Sequence, residues 1–265
     1  MMKNMENIEK TFLAELNLIR NDLTLLESYK FDKNSPDSKH FDRLRLNIAM
    51  YNDLRDSDFQ IAKFLFQQEI EWRKTEHYYE GNERIENLYF CAFLLTCFKQ
   101  PEIVIDFCRA KNIDMDSGSG FDSEYLVAVG TETTYQFLDR IDSPYKEDIF
   151  WDIGDSYETC YFSEDHMQKW KSYKKQSFEN YRFPIQNLLM FLYQTNQKTL
   201  FSEQFKIWLN SQIEWNIDNS EQYLQFAKYI DDKDEVINAL RLMIKYTPHD
   251  FLVEIYEKEI NQLLE

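Results

Sequence analysis

A chain of 265 residues, 43% apolar and 16% aromatic, is long enough to bury a substantial core and too rich in rings to be disordered. Its 5 Gly and 5 Pro are too few for an all-β fold of many short strands, whereas long helices need few such residues. A formal charge of −17 disfavours direct contact with nucleic-acid backbones or anionic membrane surfaces and points to basic proteins, polyamines or cations as counterparts.

The start, Met1-Met2-Lys3-Asn4-Met5-Glu6, carries no apolar signal-peptide core and runs into an amphipathic pattern. Ile8, Phe12, Leu16, Ile19, Leu23 and Leu26 recur at helical spacing, predicting a first helix that ends near residues 29–31, before a polar loop over 32–37. Phe41, Leu44, Ile48 and Tyr51 mark a second helix. Ser57, with Gln60 three residues on, reads as a capping box for a third, which Gly81-Asn82 would end. A fourth, over 83–98, contains Leu88 to Leu95 and is apolar on nearly all sides, so it belongs at the centre of a bundle. Its apolar run is far too short to span a membrane. Pro101 opens a short helix through Ile105 and Cys108.

Three of the five glycines, Gly118, Gly120 and Gly130, come next. They suggest a break, giving an N-terminal helical bundle over 1–111 and an acidic loop plus C-terminal helical array over 112–265, with one continuous domain as the alternative. A helix over 132–138 follows. Ser143-Pro144 and Thr247-Pro248 each place a capping side chain before a proline at the first helical position. Further helices are predicted over 145–153, 163–180, 184–195, 200–214, 220–230, 234–246 and 248 to the end. Tyr223, Phe226 and Ile230 line one face of one helix, and Val236, Leu240 and Met243 one face of the next. The expected fold is therefore all-α, an irregular helical bundle or an αα-superhelix of stacked helical hairpins. No tetratricopeptide pattern is present.

Motifs for phosphate loops, dinucleotide turns and nucleophile elbows are absent. Asp114, Asp116, Asp122 and Glu124 form a candidate cation loop. However, a helix–loop–helix calcium site starting at Asp114 would need Gly and a bidentate acid where Ser119 and Tyr125 stand. The other reading is a turn whose Asp and Ser side chains cap local backbone. Asp231-Asp232-Lys233-Asp234-Glu235 resembles the aspartate-rich magnesium motif of all-α isoprenoid synthases, but no second motif accompanies it, and a helix cap accounts for it. His40, His77, His166 and His249 show no ligand spacing. Cys91, Cys97 and Cys108 sit in apolar stretches with no C-x-x-C pair among the four cysteines, as expected of buried free thiols in a reducing compartment. No catalytic residue, metal ligand set or cofactor is expected, and the compartment expected is the cytoplasm.

Charge is concentrated in one region. Residues 112–165 hold fourteen acids against Arg140 and Lys146, a local −12 of the chain's −17. Lys169, Lys171, Lys174, Lys175 and Arg182 follow, with only Glu179 among them. Aromatics interleave with the acids, so a partner-binding surface is predicted from Asp139, Asp142, Glu147, Asp148, Trp151, Asp152, Asp155, Tyr157 and Glu158. In composition, size and lack of catalytic residues, the chain resembles immunity proteins of polymorphic toxin systems. That resemblance implies a non-catalytic acidic inhibitor whose partner is a basic toxin such as a nuclease. The alternatives are a helical-repeat adaptor that holds a peptide or protein in a groove, and a metal-dependent all-α enzyme.

Overall fold

The structure, a computed structural model, describes residues 2–33, 39–75, 85–179 and 185–264. Every regular element among them is a helix, as the sparse glycines and the helical spacing require. None of these helices is long and apolar enough to cross a membrane. The chain forms two compact units, Met1–Glu179 and Asn180–Glu265.

In the first unit, α1 (Met2–Asn21) buries Phe12, Leu16 and Ile19. It stops earlier than its apolar spacing predicts. The Asp22 carboxylate accepts from the Thr24 amide at 3.0 Å, and the chain tightens into a 3-10 segment, Leu23–Tyr29. α2 (His40–Asn52) follows, then α3 (Phe59–Arg73). The Ser57–Gln60 box expected before α3 does not form. Instead the Asp58 carboxylate accepts from the Arg55 amide at 3.0 Å and from the Arg20 guanidinium at 2.8 and 2.6 Å, and its burial makes it the stronger anchor. The predicted stop at Gly81-Asn82 lies outside the described residues. α4 (Ile85–Thr96) is central, with Leu88 and every residue from Phe90 to Leu95 buried.

The interior of this unit is threaded with charge. Arg43, Glu69 and His40 are all buried. The Arg43 Nε donates to Glu69 Oε1 at 2.6 Å, Asn87 Nδ2 donates to the same oxygen at 2.8 Å, and His40 Nδ1 lies 3.5 Å from Glu69 Oε2. Asn47 extends the network to Asn87 and to the Cys91 sulfur, both at 2.8 Å.

The units do not part at residue 112. α5 (Ile103–Lys111) and α6 (Met115–Gly120) pack on one another, and buried Arg73 of α3 donates to Ser117 Oγ at 2.7 Å and Asp114 Oδ1 at 3.0 Å. Gly118 and Gly120 thus sit inside a helix rather than a hinge. Gly120 lies against the Tyr89 hydroxyl, and a β-carbon there would displace the end of that side chain. The next segment, Ser123–Val127, is a hub. Tyr125, Leu126 and Val127 are buried, and the segment touches α4, α5, α7 (Thr131–Leu138) and α8 (Lys146–Ile153). α9 (Glu164–Glu179) closes the unit, with Trp170 edge-on to Tyr125 at 4.8 Å and Phe178 stacked on Phe90 at 4.6 Å.

The second unit comprises α10 (Ile185–Gln194), α11 (Lys198–Ser211), α12 (Ile217–Ile230), α13 (Lys233–Tyr246) and α14 (Asp250–Leu264), each packed on the next. That is the hairpin succession expected. Phe201, Phe205, Trp208 and Phe226 fill its centre. Asp232 caps α13 by accepting from the Glu235 amide at 3.2 Å, so the aspartate-rich stretch is a helix start. α14 begins at Asp250, two residues after the predicted start. The Thr247 hydroxyl reaches only the His249 amide, at 3.4 Å, and closes a turn ahead of the helix.

Candidate protein-docking face

The acids of residues 112–165 fall into two classes. Four are half-buried and already engaged. Asp114 caps α6 and pairs with Arg73 at 2.9 Å, and that cation with the Ser117 amide holds its carboxyl below the usual range against the opposing pull of burial. Asp122 accepts from Trp170 Nε1 at 2.5 Å and pairs with Lys174 at 2.7 Å. Glu124 meets His166 at 2.8 Å, and Asp152 accepts from Ser123 Oγ at 3.0 Å. The candidate cation loop is therefore dispersed. Asp114, Asp122 and Glu124 hold separate partners, Asp116 points to solvent at 3.7 Å from Arg73, and no group of three metal-binding side chains gathers among the described residues.

The other ten are exposed: Asp116, Glu132, Asp139, Asp142, Glu147, Asp148, Asp155, Glu158, Glu164 and Asp165. Asp165 pairs with Lys169 at 2.6 Å. Among the described residues, Glu147, Asp148 and Asp155 form no ion pair.

α8 organises three of the predicted site residues around a fourth. Ile149 and Ile153, four apart, are buried and fix the inward side of the helix. With about 100° between successive residues, Trp151 stands opposite them, Glu147 on one flank and Asp148 and Asp152 on the other. Trp151 is 85% exposed. The outward side of α8 is therefore an indole ringed by carboxylates. Their field also reaches inward. Burial pushes the Cys108 thiol up to about 11, with the charge of Asp148 as the next largest cause.

The C-terminal end of α8 is tied down by hydrogen bonds. The Tyr135 hydroxyl lies 2.9 Å from the carbonyl oxygens of both Ile153 and Gly154, serving acceptors that a helix end leaves open. Burial, above all, keeps that phenol protonated. Tyr135 also stacks on Phe150, whose ring lies 5.7 Å from the Lys146 ammonium. Gly154 adopts φ +98, and a β-carbon there would strike the carbonyl of Thr159. Only glycine lets residues 154–161 fold back on the helix, where the Tyr161 amide donates to Ile153 O at 3.0 Å.

This return carries Tyr157 and Tyr161, 46% and 66% exposed, and Glu158. Hydrogen bonds from its own amide and from Ser156 hold the Glu158 carboxyl below the usual range, so it is ionised at neutral pH. Asp142 is exposed on the link into α8 and Asp139 at the end of α7. Glu147, Asp148, Trp151 and Asp152 thus share one face of α8, and Asp155, Tyr157 and Glu158 lie on the loop that returns along its end. Gly154 and Tyr161 were not among the predicted site residues. Their signal was the glycine directly after the last apolar position of α8. No protein-family model, curated protein or solved structure matches the chain.

Proposed function

We propose that the chain is a non-catalytic protein-binding module that docks a basic protein on the α8 face, as an immunity or inhibitor protein would dock a basic toxin such as a nuclease. The observation that carries this reading is Trp151, standing 85% exposed at the centre of an acidic helix face. Buried tryptophans dominate protein interfaces, and removing one costs roughly 2 kcal/mol or more of binding. Unpaired carboxylates around it add steering and orientation towards a cationic surface. The first-turn acids Glu147 and Asp148 also suit the positive end of the helix dipole. Asp152 is accounted for by Ser123 and Glu158 by Ser156, whereas Asp155 lies beyond the helix, so helix stability does not account for it. Four cysteines without a disulfide fit the reducing cytoplasm in which such an inhibitor would act.

The test is comparative capture from native-host lysate with three baits: wild type, Trp151→Ala, and the triple variant Glu147→Lys, Asp148→Lys, Asp155→Lys. Asp152 is left alone because it holds Ser123. A basic protein retained by wild type should be lost to Trp151→Ala, whose unfolding free energy should stay within about 0.5 kcal/mol of wild type. The triple variant should bind more slowly and lose salt dependence. A partner captured equally by all three baits would remove the α8 face from the reading.

A further inference from the structure

Four of the five tryptophans sit against another ring. Trp72 meets His40 at 5.7 Å, Trp170 meets Tyr125 at 4.8 Å, and Trp208 and Trp215 meet each other at 6.0 Å. The indole of Trp151 has no ring, cation or hydrogen-bond partner among the described residues, and it is the most exposed of the five. Packing explains the first four. It does not explain Trp151.

Its neighbours define what would suit it. Helical side chains lean towards the N-terminus, so Trp151 extends towards the turn that carries Glu147 and Asp148, four and three positions back. Neither carboxylate forms an ion pair among the described residues. The base next to them in sequence, Lys146, is turned onto Phe150, with its ammonium 5.7 Å from that ring. α8 thus presents one open aromatic plane beside two carboxylates that no cation of this chain engages.

The same chain shows how such a set is satisfied elsewhere. On α9, Trp170 donates to Asp122 at 2.5 Å, and Lys174 pairs with that carboxylate at 2.7 Å. The Lys174 ammonium also lies 5.6 to 6.0 Å from the rings of Tyr89, Tyr125 and Trp170. One cation therefore bridges an acid and an aromatic face, and three rings surround it where its side chain is only 13% exposed. α8 supplies a single ring, open to water. A lysine ammonium there keeps its strong hydration and gains little from the indole. A guanidinium is more weakly hydrated, stacks its plane on the ring, and offers paired N–H donors at its edge to a carboxylate. The exposed geometry selects arginine.

We infer that the anchor a partner places on α8 is an arginine side chain, its guanidinium stacked on Trp151 and its edge held by Glu147 and Asp148. Asp152 takes no part in this clamp, because Ser123 already holds it. The inference rests on the docking reading above and adds to it the side chain that the face selects.

The test compares two fluorescently labelled peptides of equal length and charge, one alternating glycine with arginine and the other glycine with lysine. Each is titrated against the full chain and followed by anisotropy. The arginine peptide should bind about fivefold more tightly than the lysine peptide. It should also shield Trp151 from acrylamide, a direct readout because the other four tryptophans are buried or half-buried. Trp151→Ala should bring the ratio of affinities close to one while leaving the lysine peptide nearly unchanged. Glu147→Gln with Asp148→Asn should weaken the arginine peptide more than the lysine peptide. The inference is overturned if wild type binds both peptides equally, if the preference survives Trp151→Ala, or if the arginine peptide leaves acrylamide quenching unaltered. Equal peptide binding beside a Trp151-dependent capture from lysate would discard the arginine anchor and keep the docking face. A Trp151-dependent arginine preference beside equal capture by all three baits would support the anchor chemistry and discard the docking reading.

Discussion

The two units solve the problem of an interior in opposite ways. The first buries ions: Arg43 and Glu69 have no exposed surface, and His40, Asn47 and Asn87 surround them. The second buries rings: Phe201, Phe205, Trp208 and Phe226 meet at centroid distances of 5.2 to 6.2 Å, and its carboxylates stay at helix starts and on the surface. Ring packing is tolerant of angle and blind to pH. A buried ion pair is neither, because each charge depends on a partner held in place. The first unit should therefore be the part of the molecule that single substitutions and acid break first.

The largest effect is expected at Glu69. Glu69→Ala leaves the Arg43 guanidinium buried without its carboxylate and should cost about 3–5 kcal/mol, measured by urea unfolding. The paired change Arg43→Met with Glu69→Leu removes both charges and should recover most of that loss, short of about 1–3 kcal/mol because Asn87 loses its acceptor. A double variant as unstable as Glu69→Ala would mean that lost packing, rather than an orphaned charge, sets the cost.

Acid should separate the units next. Burial alone would push the Glu69 carboxyl up, but attraction to Arg43 and then His40, with the hydrogen bond from Arg43, outweighs it and leaves the group at about 2. Its ordinary value is 4.5, so the unfolded chain binds a proton that the folded chain refuses between those two values. The pair thus contributes fully above pH 4.5, and on the order of 3 kcal/mol is lost as pH falls towards 2. Hydrogen exchange at descending pH should show α2, α3 and α4 losing protection while α12 and α13 keep theirs. Simultaneous loss in both sets would show that Glu69 does not set the acid limit.

This contrast explains how much was legible in the sequence. Helices such as α8 and α9 fall within one residue of their predicted ends, because apolar spacing and local stop signals act over a few positions. The outward face of α8 was legible for the same reason. The buried ions were not. Arg43 and Glu69 read as polar residues on amphipathic helices, and nothing local announces that α2 and α3 turn them inward onto one another. The acids of residues 112–165 likewise formed one cluster in sequence, yet Asp122 is claimed by Lys174 and Trp170 and Glu124 by His166, from a helix far along the chain.

The smallest effect tests the other side of the comparison. In the second unit a carboxylate earns its place at a helix end: Asp232 Oδ1 accepts from the Glu235 amide at 3.2 Å, directly after Asp231 turns the chain through a left-handed backbone, φ 61. Asp232→Ala leaves that amide to water, which can reach it, so no charge or donor is stranded in a dry interior. The expected loss is about 1 kcal/mol, within the range of cap removals, with exchange accelerated only in the first turn of α13. Asp232→Asn should restore most of it, because the amide oxygen caps as well as a carboxylate does. A cost for Asp232→Ala approaching that of Glu69→Ala would mean that the second unit also depends on charge, and the contrast between ionic and aromatic interiors would fail.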